Sequence, residues 1–368
     1  MQFSISREAI LKPLQLASGV VERRHTLPVL ANVLLSLKDN VLEITGTDLE
    51  VELLGRVRVN EGARPGDVTV PGRKLMDICK SLSEDAVLEF TLEEGKFVIK
   101  AGRSRFTLAT LPATDFPVTV DEAGTFELHI ARSEMKKLID SCAFAMAQQD
   151  VRYYLNGMLF EMGKSWFRVV ATDGHRLAMH TTGVDTGIDE TLQVIVPRKG
   201  VLELSRLLAE PGDGELTLVF GASHIRARLH DFTFTSKLVD GKFPDYQRVL
   251  PKGGDKFVIG DRASLKMAFG RASILSNEKY RGVHLLLAPG ELKVVANNPE
   301  QEEAEDQVAV EYQGDTLEIG FNVSYLMDVL NVLDSDKVRF TLADSNSSAL
   351  VEAVSPSDAL YVVMPMRL

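Results

Sequence analysis

The chain has 368 residues, a formal net charge of −11, 45% hydrophobic and 25% charged residues. That length exceeds one ordinary core and predicts two or three domains. The acidic balance argues against a protein that holds nucleic acid by charge attraction alone. No apolar run approaches the ~18 residues that cross a bilayer. The N-terminus MQFSISREAILKPL carries charges inside its apolar pattern, so it is not a signal peptide, and a cytoplasmic location is expected.

The first predicted element is the helix SREAILKPLQLA, with Ser6 as N-cap and Pro13 as a source of kinking or early termination. Alternating runs such as VLEITGT and LEVELLGRVRV follow and read as strands. VPGRKLMDICKSL then predicts a helix, with Leu75, Ile78, Cys79 and Leu82 on one apolar stripe. SRFTLATLPATDFP closes this first section. The order then starts again. SEMKKLIDSCAFAM begins with a candidate cap at Ser133 and carries an apolar stripe of Met135, Leu138, Ile139 and Cys142; VPRKGVLELSRLL and FTFTSKLVDGKFPDY complete the second section. In the third, SLKMAFGRASIL is led by Ser264, LKVVANN and DQVAVEY read as strands, and FNVSYLMDVLNVL is the last helix before LYVVMPMRL.

Three copies of one unit are therefore expected, each a helix with strands, twice over, giving an α+β chain with six helices. Asp48, Asp173 and Asn298 recur at intervals of 125 residues. The seams fall near Ala123 and Pro251, which divides the chain into 1–123, 124–251 and 252–368. No CxxC, HExxH, GxxxxGK[ST], GxSxG or GxGxxG pattern occurs, so neither a cofactor nor a metal is expected. Cys79 and Cys142 read as small core residues.

One stretch, VVATDGHRLAMH, places Asp173, His175 and Arg176 just after a strand. The first copy has Asp48-Leu49-Glu50-Val51 at that place and the third has Asn298-Pro299-Glu300-Gln301. The turn thus exists without that chemistry and reads as structural or binding, although an Asp/His pair confined to the second copy leaves a hydrolase reading open. A repeat-built scaffold that binds only proteins is the other alternative.

The stretches LPVLANVLL, TGTDLE, QDVRYYLNGMLF, ATDGHRLA, VIVPRKGV, FTSKLVDGKFPDYQRVLP, ILSNEKYRGV, ANNPEQEEAE, IGFNVSY and YVVMPMRL resemble those of the bacterial DNA sliding clamps, the beta subunits of DNA polymerase III. The resemblance covers all three copies. It implies clamp domains joined into a head-to-tail homodimer, a closed ring with helices lining the hole. It further implies a non-catalytic processivity factor that encircles duplex DNA without reading its sequence. The implied partners are the polymerase III catalytic subunit, the clamp loader, and other polymerases and repair proteins that dock through short linear peptides; no membrane is involved. Twelve lining helices at ~8–10 Å spacing would enclose a circle about 32–38 Å across. Less one helix thickness of ~10–12 Å, about 20–28 Å remains, enough for a duplex. A ring holds DNA topologically, so basic residues are needed only on the lining helices; this reconciles the acidic total with DNA.

The resemblance implies DNA contacts at Arg24, Gln149, Tyr153 and Tyr154, and the recurrent basic lining adds Arg73, Arg198 and Lys199. It implies a peptide pocket built from Leu155, Thr172, Gly174, His175, Arg176, Leu177, Pro244, Arg248 and Val249, with Asn322, Tyr325, Ser348, Val362, Val363, Met364, Pro365, Met366 and Arg367 opposite. Asn346 at the rim stands where valine is common in the family, and Tyr280 where phenylalanine is; both bear on rim polarity. His175 and Arg176 would then shape a pocket rather than move a proton. The implied dimer seam sets Lys74, Arg103, Arg105, Phe106 and Leu108 against Ile274, Leu275, Glu300, Glu302, Glu303 and Glu305, basic meeting acidic around an apolar centre.

Overall fold

The computed structural model describes residues 1–21, 27–119, 126–210 and 212–367. The first repeat comprises β1 (Gln2–Ser6), α1 (Arg7–Gly19), β2 (Asn32–Lys38), β3 (Val41–Thr47), β4 (Val51–Arg58), β5 (Gly66–Pro71), α2 (Gly72–Ser81), β6 (Val87–Glu93), β7 (Lys96–Ala101) and β8 (Ser104–Ala109). The second comprises β9 (Phe126–Ala131), α3 (Arg132–Cys142), β10 (Gly157–Gly163), β11 (Trp166–Thr172), β12 (Arg176–Gly183), β13 (Leu192–Pro197), α4 (Arg198–Leu208), β14 (Glu215–Phe220), β15 (His224–Leu229) and β16 (Phe232–Lys237). The third comprises β17 (Lys256–Asp261), α5 (Arg262–Ser273), β18 (Gly282–Ala288), β19 (Glu291–Asn297), β20 (Glu303–Glu311), β21 (Leu317–Asn322), α6 (Val323–Val332), β22 (Lys337–Leu342), β23 (Ala349–Ala353) and β24 (Ala359–Val363). The described residues thus hold the expected six helices in three like sets. None of these helices is long and apolar enough to cross a membrane.

Two compact units divide the chain, Met1–Ser133 with Leu202–Leu238 and Glu134–Val201 with Val239–Leu368, so the middle repeat contributes to both. In the first unit an antiparallel sheet runs β5-β2-β3-β4-β16-β15-β14-β9, and a second runs β1-β6-β7-β8. The junction β4–β16 couples the first repeat to the second, with Leu53 opposite Phe234. In the second unit one sheet runs β13-β10-β11-β12-β24-β23-β22-β17-β20-β19-β18-β21. There β12–β24 couples the second repeat to the third, with Ala178 opposite Tyr361. We call these the first and second joints.

Three local expectations are corrected. Ser6 does cap α1, accepting from the Ala9 N–H at 3.3 Å. The helix nevertheless runs through Pro13 to Gly19 without breaking. Ile10, Leu14 and Ala17 are fully buried and hold it against β3 and β4. Glycines make the approach possible: a Cβ at Gly55 would lie 2.7 Å from Pro13 Cβ, and one at Gly46 would lie 2.0 Å from the Ala17 carbonyl oxygen. Ser264 is not a cap; Asp261 is, accepting from the Ser264 N–H at 2.7 Å, because a carboxylate one turn earlier satisfies the same orphan donor. Ser133 lies inside α3, which already begins at Arg132. Cys79 and Cys142 are free and buried, and burial pushes both thiols up to about 12. They therefore stay protonated and inert.

Candidate functional site

The Asp173 turn is a hydrogen-bonded knot. Asp173 Oδ1 accepts from the N–H groups of His175 (2.9 Å) and Arg176 (3.1 Å), while Thr172 Oγ1 donates to the Arg176 carbonyl (2.6 Å) and accepts from the Gly174 N–H (3.1 Å). The first repeat ties the same knot with Asp48 and Thr47: Asp48 Oδ1 accepts from Glu50 and Val51, Thr47 Oγ1 donates to the Val51 carbonyl and accepts from Leu49 N–H. In the third, Asn298 Oδ1 accepts from Glu302 N–H, one residue further on. The aspartate is spent on backbone donors, which are obligatory partners at a tight strand connection. This answers the catalytic reading of the motif with a structural role.

What differs in the second repeat is what the knot presents. Arg176 is clamped: Nε pairs with Asp173 Oδ2 (3.1 Å), Nη2 donates to the Phe144 carbonyl (2.8 Å), Nη1 pairs with Asp328, and the guanidinium lies 4.5 Å from the Tyr325 ring centre. Tyr325 stacks on the exposed His175 at 6.2 Å between ring centres. Asn322, which caps α6 through Ser324 N–H, sits one turn ahead of Tyr325. Burial holds the Tyr325 hydroxyl above its ordinary range.

Beside this polar face lies an apolar one. Leu155, Leu177 and Val362 form a buried cluster with Phe243 and Tyr246, and Leu350 packs against it. The backbone pairs Leu177 with Val362 and Arg176 with Val363, and the chain continues as Met364 N–H donating to the His175 carbonyl at 2.9 Å. Met364, Pro365 and Met366 are half-buried; Met364 Sδ lies 3.0 Å from Ser348 Oγ. A hollow of about 480 Å³ opens here between Arg248, Val249, Asn346 and Ser348. Exposed Pro244 leads into the same segment, and Arg367 and Met366 line a second hollow of about 460 Å³ with Tyr280. The expected pocket residues thus lie in the second unit, distributed over the buried Leu155–Leu177–Val362 cluster, the clamped Arg176 and two separate hollows. Such a surface suits an extended peptide.

Of the expected DNA contacts, Arg24 lies outside the described residues. Gln149 and Tyr153 are exposed, and Tyr154 is half-buried, edge-on to Tyr153 at 5.7 Å. Arg198 ties to the same loop, donating to the carbonyls of Met146 (Nη1, 3.1 Å) and Asn156 (backbone N–H, 2.9 Å); Lys199 follows it, half-buried. Arg73 is exposed on α2 in the first unit.

Of the expected seam residues, Lys74, Arg103 and Arg105 are exposed and Phe106 is half-buried. Leu108 is 7% exposed in the single chain and lies on the same face of β8 as Phe106, packed with the first unit's core. Ile274 is 75% exposed, Leu275 is half-buried, and Glu300, Glu302, Glu303 and Glu305 are exposed. Glu305 pairs with Lys293 at 2.7 Å.

Sequence reasoning missed a buried network of Glu161, Arg168 and Tyr246 and the Asp328 partner of Arg176. A single acid inside the apolar strand GMLFEMG was the available signal for the first. No group of three or more His, Cys, Asp or Glu is placed to hold a metal ion among the described residues.

Comparison with known proteins gives a consistent answer. Models of the DNA polymerase III beta subunit match in three parts, the N-terminal domain over residues 1–121, the central domain over 129–245 and the C-terminal domain over 247–367. The chain is 62% identical to the beta sliding clamp of Pseudomonas aeruginosa over the whole of both. It superimposes on a crystal structure of the DNA polymerase III subunit beta from that organism with a TM-score of 0.98, covering both chains fully. A structure of the same clamp bound to griselimycin gives 0.97, again at 62% identity and full coverage of both chains.

Proposed function

This chain belongs to the bacterial sliding clamp family, the beta subunits of DNA polymerase III, and from that premise we propose how its three domains, 1–123, 124–251 and 252–368, do a clamp's work. A clamp is not an enzyme; it is the processivity subunit of DNA replication, so what needs explaining is closure and docking.

Closure follows from the strand edges. Each repeat offers two kinds of edge, one on β4, β12 and β20 and the other on β8, β16 and β24. Within the chain, β4 is paired with β16 and β12 with β24. That leaves β8, an outermost strand, and β20, which meets β17 only through Ile259–Glu311 and Gly260–Val310. Two unspent edges of the same two kinds are the single observation that carries the reading: a second copy supplies the missing partner, head to tail, at each end. The contact is heterologous, and two copies close it. Leu53 and Ala178 occupy equivalent positions, pairing with Gly46 and Ala171, and Ala304 pairs likewise with Ala296. Phe106, Phe234 and Tyr361 are each the third residue of their strands. The rule Leu53 opposite Phe234 and Ala178 opposite Tyr361 therefore sets Ala304 opposite Phe106 of the partner. Glu305 then stands beside Arg105, a favourable cross-strand pair. Ile274 and Leu275 add the apolar contact.

In this reading the DNA passes through the ring in the cytoplasm, touched by Arg24, Arg73, Gln149, Tyr153, Tyr154, Arg198 and Lys199 without base readout. Polymerase III catalytic subunit, clamp loader and repair proteins dock their peptides on the Leu155–Leu177–Val362 strip between Met364 and Val249. Topology gives the test. Protein loaded onto nicked circular DNA by a loader and ATP should stay bound through gel filtration in high salt and be lost once the circle is cut. Equal retention on linear DNA would count against encirclement.

A further inference from the structure

Among the described residues, the second repeat contains a polar chain around one buried carboxylate that has no counterpart at the same strand positions of the other two repeats. Glu161 on β10 is 5% exposed. Its Oε1 accepts from Gln193 Nε2 at 2.5 Å and its Oε2 from the Tyr246 hydroxyl at 2.5 Å. Arg168 on β11 donates from Nη1 to the Tyr246 oxygen (2.8 Å) and from Nε to Thr181 Oγ1 (2.8 Å), with its guanidinium 4.6 Å from the Trp166 ring centre. Burial, and then the bond to Glu161, hold the Tyr246 hydroxyl above its ordinary range, so it remains a donor.

The same two strand positions in the other repeats hold different chemistry. In place of Glu161 stand Ser36, which donates to Asp67 at 2.5 Å, and Leu286. In place of Arg168 stand Glu43, paired with Arg56, and Lys293, paired with Glu305. Those repeats form the same strands in the same register. The fold therefore does not require a buried carboxylate here, and burying one is costly unless something is gained.

What the network grips is the segment 243–249. Tyr246 is 4% exposed and shares the apolar cluster with Leu155, Leu177 and Val362. Its carbonyl accepts from the Val249 N–H at 3.1 Å, and Asp245 pairs with Arg248 at 2.8 Å. Arg248 and Val249 form one wall of the hollow whose other wall carries Asn346 and Ser348. We propose that Glu161 and Arg168, acting through Tyr246, are positioning residues for the peptide groove: they pin its Pro244–Val249 wall at a fixed distance from the C-terminal strand. The inference rests on the groove being the docking site, since none of the three residues need touch a ligand.

The test uses full-length dimer and labelled griselimycin as the probe. Tyr246→Phe and Glu161→Gln should each weaken probe binding about tenfold, the effect of losing one buried hydrogen bond to a charged group, mainly through faster release. The amides of Arg248 and Val249 should exchange faster in both variants while those of β10 and β11 do not, a pattern that general destabilisation would not give. Arg168→Met provides a third arm should either variant fold poorly, with the same expected result. Met364→Glu serves as the groove control. If it abolishes binding while the dimeric network variants bind within about twofold of the parent, the positioning role is overturned. If Met364→Glu binds normally, the groove assignment falls and this inference with it.

Discussion

The first and second joints use one backbone plan with opposite chemistry. At the first, the row crossing three strands is Glu52, Thr235 and Arg226, all buried. At the second, the equivalent row is Leu177, Val362 and Leu350. Burial holds Glu52 above the ordinary carboxylate range, opposed by hydrogen bonds from Thr119 and the nearby Arg226 charge; burial likewise lowers Arg226. Buried charged side chains in such a row offer a visiting apolar side chain nothing. An apolar row closes the same sheet by burial, with Leu177 and Val362 inside it and Leu350 packed against them. Equal geometry thus carries a charged and polar row at one joint and an apolar row at the other.

The largest effect expected from breaking this contrast is at the second joint. Removing Met364 to Leu368 leaves β24 whole but strips the groove of its methionine edge. Binding of a labelled polymerase III peptide should fall at least a hundredfold, since two apolar anchors at ~1.5–3 kcal/mol each are lost. Sedimentation should still show dimer; unchanged peptide binding would move the docking site elsewhere.

The dimer joint extends the comparison to a third case. Replacing Ile274 and Leu275 together by alanine should convert dimer to monomer at micromolar concentration, because exposed apolar anchors dominate such contacts. An unchanged sedimentation coefficient would refute the seam placement.

At the first joint, Glu52→Leu should cost about 1–3 kcal/mol by leaving the Thr119 N–H without the carboxylate oxygen that accepts from it at 2.9 Å. The coulombic attraction between Glu52 and Arg226 should make Glu52→Leu and Arg226→Leu non-additive, and urea melts on the four species of the cycle measure the coupling. The pH dependence has a definite sign. Because the folded value of Glu52 is raised, the folded state holds its proton more tightly than the unfolded chain does. Stability from this group is therefore greatest below the unfolded carboxylate value and is lost as pH rises through the folded one. Glu52→Gln, with no proton to lose, should gain on wild type over that window; a constant difference across it would show that Glu52 does not titrate there.

The smallest effect concerns the knots. Leu49 sits at φ +77° and Gly174 at φ +89° in equivalent turns. Leu49→Gly should be neutral or stabilise by up to ~1 kcal/mol, while Gly174→Ala should cost about 1 kcal/mol. Thermal melts of opposite sign would confirm that the two turns differ in strain rather than in bonding.

Periodicity and spacing in the sequence reveal the three repeats, the six helices and the strand runs VLEITGT and LKVVANN, because an apolar stripe at helical or alternating spacing is a local property. They also show that the Asp173 turn recurs without its histidine, which weakens a catalytic reading before any geometry is known. The groove residues were accessible only through resemblance to a family, since Leu155, Leu177 and Val362 are far apart in the chain and indistinguishable there from other core residues. Tertiary structure alone decided that Asp261 caps α5 and that α1 survives Pro13 against two glycines. It alone brought Glu161 to Tyr246 across 85 residues. Each of these depends on which face an element buries and against what, and that is fixed by packing between distant segments rather than by the residues of the element itself.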